Sequence, residues 1–152
     1  MAVTRAAAVI DALVARLGAD PVLAGLVWDG PPVSGDPLPE VVTVGFAFND
    51  DDYTAASITQ ELHELGAAAK RDETVDVTCA VMASNGDADM ATARTRCITL
   101  LGAVESVLRA DYSLGLTDVL RVELAVGTLR QAQTQTGAAA IVQFTVTATS
   151  LI

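Results

Sequence analysis

His63 is the sole histidine of the 152-residue chain, and with it begins any search for chemistry. A hydrolytic triad needs such an imidazole beside a serine or cysteine and a carboxylate. No Gly-x-Ser-x-Gly elbow is present, and neither Cys79 nor Cys97 sits in a nucleophile motif. His63 therefore reads as a surface or interface histidine. The cysteines are separated in sequence and lack close second ligands, which argues against a zinc site. Each falls on an apolar stripe, as expected for buried thiols in a reducing compartment. Two acidic clusters, Asp50-Asp51-Asp52 and Asp87-x-Asp89, could interest a divalent cation. Neither has the alternating ligands, central glycine and distal glutamate of a calcium loop. They read as a solvated turn and as N-terminal helix charges. No glycine-rich phosphate cradle precedes a helix. These residues point to a protein that is not an enzyme and uses no cofactor or metal.

The elements carrying these residues follow from periodicity. Val9, Ile10, Leu13, Val14 and Leu17 recur at helical spacing and predict a helix over 4–17, with Thr4 at its start and Gly18 and Pro21 at its end. Leu26 to Trp28 forms a brief apolar segment. Pro31, Pro32, Pro37 and Pro39 make residues 29–39 an extended loop. Val41 to Phe48 reads as a strand, with Val42, Val44, Phe46 and Phe48 on one face. Residues 56–65 are ambiguous, because Ile58, Leu62 and Leu65 also suit a helix. A turn is expected over 66–71, and Lys70-Arg71-Asp72-Glu73 reads as a charged turn or as an intersubunit ion-pair site. Val75, Val77, Cys79 and Val81 alternate in a strand over 73–82. A helix follows from Asp87 to about Ala110, with Met90, Ala93, Cys97, Leu101, Val104 and Leu108 on one stripe.

The last third predicts a long antiparallel hairpin. Leu120, Val122, Leu124 and Val126 share one face of its first strand, 119–129. Val142, Phe144, Val146 and Ala148 share one face of its second, 141–151. Gln131 to Gly137 reads as a polar connection. The stretch Leu129 to Gly137, with Arg130, Gln131, Gln133 and Gln135, is expected to project toward a neighbour, and deletion of 131–135 to leave the fold intact. The predicted class is a single α+β domain, a mostly antiparallel sheet with two main helices on one face.

Composition bounds the partners. The chain is 51% hydrophobic and 18% charged, which excludes a disordered chain. Its apolar content leans on Ala and Val, so the expected core is thin and subunit contacts can add burial. A net charge of −10, from 9 Lys+Arg against 19 Asp+Glu, disfavours ordinary nucleic-acid binding. No apolar run suits a bilayer span, and the start lacks the basic-then-apolar order of a signal peptide, so cytoplasmic synthesis and no membrane partner are expected.

The order of segments resembles the tail terminator (tail completion, head-to-tail joining) proteins of long-tailed bacteriophages. Four pieces carry the resemblance: the amphipathic N-terminal helix with its Pro-rich loop and short strand; Gly66 through Val81, where Arg71-Asp72-Glu73 leads into an alternating strand; the helix from Asp87 that ends in Val107-Leu108-Arg109-Ala110-Asp111; and Ser113-Leu114-Gly115-Leu116 followed by two strands around a Gln-rich turn closed by Gly137. Together they cover nearly the whole chain. One departure is Leu116 after Gly115, where the family often has a glycine pair. The resemblance favours a strand over 56–65. It implies a structural virion subunit at the head-proximal end of the tail, forming a homo-hexameric ring. Such a ring caps the tail tube protein, meets the head-closure or connector protein, and lets duplex DNA pass without specific binding. Asp50, Asp51 and Asp52 are then candidates for an acidic lumen or turn. The nearest alternative is another phage structural piece, a head-closure or minor tail protein, and an alternative from a second class is a small ligand-binding α/β domain.

Overall fold

The structure is a computed structural model that describes residues 2–33, 39–49, 51–62, 70–135 and 137–152. The chain runs α1 (Ala6–Gly18), β1 (Val27–Asp29), β2 (Glu40–Val44), β3 (Ala56–Leu62), β4 (Arg71–Asn85), α2 (Met90–Ala110), β5 (Val119–Thr134) and β6 (Gly137–Leu151). The strands make one six-stranded sheet in the order β1-β2-β4-β6-β5, with β3 also paired to β4. All neighbours are antiparallel except β1 and β2. The α+β expectation, with both helices on one face and a C-terminal hairpin, agrees with this architecture.

Alternation in β4 and β6 places the core. Val75, Val77, Cys79 and Val81 pair with Ala148, Val146, Phe144 and Val142. All eight are buried under Val9, Leu13 and Leu17 of α1 and Ala93, Cys97, Leu100 and Val104 of α2. Phe144 is the one aromatic ring among the described buried core residues. The core is therefore built from small aliphatic layers, each fully buried Val or Leu contributing about 1.5–3 kcal/mol.

Several boundaries differ from expectation, each for a local reason. The strand predicted over 41–48 ends at Val44, because Gly45 turns with φ 81° and Phe48 adopts φ 58°. Phe46 and Phe48 leave the sheet together, ring centroids 5.0 Å apart. Residues 46–49 then cross the open face of the sheet, where the Gln143 Nε2 donates to Ala47 O at 2.6 Å and to Asn49 Oδ1 at 2.7 Å. The ambiguous 56–65 segment contains strand β3. The strand predicted over 73–82 extends to Arg71–Asn85, and α2 starts at Met90 with the Asp89 side chain accepting from the Thr92 N–H. Thr4 does not cap α1 from the N-cap position, which Arg5 occupies; its hydroxyl accepts from the Ala6 N–H at 3.1 Å.

The hairpin differs most. The polar stretch expected as a connection is strand, since Gln131, Ala132 and Gln133 pair with Ala140, Ala139 and Ala138. Deleting 131–135 therefore removes ladder rungs, so the expectation that it leaves the fold intact loses its basis in a free connection. Register shifts between Val119 and Arg121 and between Val126 and Thr128 also break the simple alternation. Leu120, at the first shift, is exposed while Val122 is buried; Val126 shares the face of Val122 but is exposed as well.

Candidate functional site

The expected charged turn at 70–73 is mostly strand. Lys70 is exposed, Arg71 and Asp72 are half-buried in β4, and Glu73 is fully buried on the helix-bearing face. Glu73 is thus internal to the subunit, which corrects its reading as part of a charged turn or of an intersubunit ion-pair site. Its carboxylate sits at the start of α1. The Arg5 N–H donates to Oε1 at 2.6 Å, and the Gln60 side-chain amide donates to Oε2. The same amide donates to Val3 O at 2.7 Å, and Arg71 donates to Gln60 Oε1 at 3.2 Å. Arg5 pairs with Asp118 at 3.2 Å. Burial pushes the Glu73 carboxyl upward, but hydrogen bonds from Gln60, the Arg5 backbone and Thr4, with the Arg5 charge, outweigh it, and the net direction is down. The negative charge also suits the helix N-terminus. This cluster fastens α1 to the ends of β3, β4 and the β5 approach, which is a structural task.

The second predicted group divides between the two faces of β5. Gln131 accepts from Arg94 Nη1 at 2.7 Å, and Gln133 donates to Ala88 O at 3.1 Å, so both tie the hairpin tip to the start of α2. Arg130 reaches Phe48 O at 3.4 Å on the opposite face. Leu129 remains 45% exposed, and Gln135 is exposed at the turn. The structure does not bring this group together with Lys70–Glu73.

Of the acidic triplet, Asp51 and Asp52 lie on the segment that leads into β3, Asp51 with φ 57°. Asp52 accepts from the Thr54 N–H at 2.9 Å, and Thr54 holds its carboxyl below the usual range through backbone and side-chain hydrogen bonds. Asp50 and His63 lie outside the described residues. Among the described residues no group of three His, Cys, Asp or Glu side chains converges as a metal site. Burial pushes the Cys79 thiol up to about 12 and raises that of Cys97, so neither is available as a thiolate near neutral pH.

A feature missed by periodicity lies at the other end of β5. Leu120–Leu124 and the C-terminal turns of α2 enclose an open groove of about 580 Å³ that includes Leu108, Arg109 and Tyr112. Leu120 and Tyr112 are 56% and 64% exposed. Ion pairs Arg109–Glu105 and Arg121–Glu123 flank it. The groove has aliphatic walls and a charged rim, which suits a protein contact better than a reaction. The available signal was Leu120 itself, an apolar residue that an irregularity turns outward.

No family model matches the chain, and no curated protein matches it. A solved structure does. It is a chain from the virion of a native gene transfer agent particle, with TM-score 0.58 and 18% identity. The likeness covers 99% of this chain and 100% of that one, so the two share a fold from end to end.

Proposed function

We propose that this chain is a structural subunit of a phage-like virion, and that it acts as a tail terminator: a ring that closes the tail tube and joins it to the head connector. The observation that carries this reading is the end-to-end likeness in fold to a chain of a gene transfer agent virion. Two further features support it. The segment order resembles tail terminators, and the groove and exposed aliphatic residues on β5 suit contacts between subunits. Function in such a ring is geometric. Weak contacts repeat around a closed symmetry, and multiplicity makes the assembly stable. The chain's net charge of −10 suits a lumen through which duplex DNA slides without adhering.

Native mass measured across a concentration series, with and without magnesium, tests the ring. A six-fold species supports the proposal, and a stable two-fold dimer at every concentration contradicts it and favours a binding domain. Retention of duplex DNA by the assembled protein tests the lumen. Salt-sensitive, tight retention contradicts passage without binding.

A further inference from the structure

The sheet has two open boundaries. Among the described residues, no strand pairs with the outer edge of β5 or with the outer edge of β3, which covers only the Arg71–Val77 part of β4. Unpaired edges are templates for further strands, and proteins usually blunt them with lysine, proline or bulges. Neither β3 nor β5 contains lysine or proline. The two irregularities of β5 lie at either end of a stretch, Arg121–Val126, that keeps regular register with β6.

Strand direction decides how a second copy can add. β4 runs opposite to β3 and to β6, and β6 runs opposite to β5. β5 therefore runs opposite to β3. A second copy placed beside the first in the same orientation brings its β3 antiparallel to β5, with helices on the same side of the extended sheet. Because the two edges are different surfaces at opposite boundaries, the contact is head-to-tail, the kind that builds a ring when its rotation closes.

We propose that β3 of one copy pairs with the Arg121–Val126 stretch of β5 in the next, making the sheet continuous between subunits. The proposal rests on the ring reading and names its contact. Side chains on both edges match. Ile58 and Leu62, on the helix-bearing face of β3, are 47% and 56% exposed. With Arg121 opposite Glu61 on the open face, Leu124 falls opposite Ile58 and Leu120 beside Leu62. These aliphatic residues then close over the groove next to α2. Charge agrees: Glu61 is the one charged residue of β3, whereas β5 has two arginines and one glutamate in a chain of net charge −10. β1, the other boundary strand, has three residues.

The test is oxidative cross-linking of the full chain carrying Glu61→Cys and Arg121→Cys together. Directly opposed Cβ atoms in an antiparallel pair lie about 4.5–5.5 Å apart, close to disulfide reach. Cys79 and Cys97 are buried and serve as silent background. The expected result is a ladder of disulfide-linked oligomers from the double variant and none from either single variant. A wild-type ring in native mass with no ladder overturns the edge contact and leaves the ring standing. Neither ring nor ladder also overturns the edge contact, whereas a ladder from a chain that is monomeric in native mass upholds it and counts against a preformed ring. As a second measurement, Arg121→Glu should weaken self-association at least about tenfold, and adding Glu61→Arg should restore it. Unchanged association in both variants, with folding verified by circular dichroism, overturns the proposal.

Discussion

Glu73 carries a charge where the surrounding strand pattern asks for an apolar side chain. Val75, Val77 and Cys79 continue its face of β4, and all are buried. The carboxylate is tolerated there because donors converge on it from Gln60 and from the Arg5 backbone. Its ordinary value is 4.5, and the folded state holds it lower. A depressed carboxyl contributes stability that is present above the unfolded value and lost as pH falls through the folded value. Glu73→Gln keeps the shape and removes the charge. It should cost about 1–3 kcal/mol near neutral pH, read as a lower urea midpoint. Between about pH 6 and about pH 3 the variant should lose less stability than the wild type. An equal loss in both proteins shows that another group sets the acid response. Among the described residues, the neighbouring Arg5 Nε and Ser150 Oγ are buried without a hydrogen-bond partner.

Among the elements, legibility followed the clarity of the period. α2, β4 and β6 were readable because their apolar residues lie on one stripe or one face. Residues 56–65 were not, since β3 is an edge strand whose Ile58 and Leu62 stay exposed and so give little alternation. The end of β5 was misread because Gln131 and Gln133 occupy its helix-bearing face and bond to Arg94 and Ala88 in place of filling the core. Polar composition there marks contact with a helix terminus, which looks like a loop in the sequence alone. Composition located the β5 hairpin but could not locate the groove, which depends on an irregularity at Leu120. Gly137, expected to close the hairpin, has φ 127°, and an added Cβ would collide with the Asn85 carbonyl oxygen at the end of β4. Gly137→Ala should therefore destabilise the protein by about 1–3 kcal/mol. Hydrogen exchange should show the greatest loss of protection at 130–140, and a uniform loss across β4 and β6 would falsify the local account.

At the scale of the molecule, assembly has to overcome repulsion between like-charged copies. Each contributes a net charge of −10, and the ion pairs within a subunit, such as Arg96 with Glu40 at 2.6 Å, leave that net charge unchanged. Between copies, the proposed edge contact places one arginine against one glutamate on the open face and aliphatic side chains against each other on the helix-bearing face. Its attractive part, backbone hydrogen bonds and apolar contact, is short-ranged and so changes little with salt. The repulsive part is long-ranged. It is screened as the Debye length falls from about 30 Å at 0.01 M to about 8 Å at 0.15 M. Self-association should therefore tighten as monovalent salt rises through that range, opposite to an interface held by ion pairs. Magnesium should act at lower concentration than sodium, because a divalent ion screens acidic surfaces more strongly. Sedimentation velocity at fixed protein concentration checks both expectations. Dissociation on adding salt would instead assign the subunit contact to charge pairing, and would shift attention from the leucines of β5 to the arginines Arg121 and Arg130.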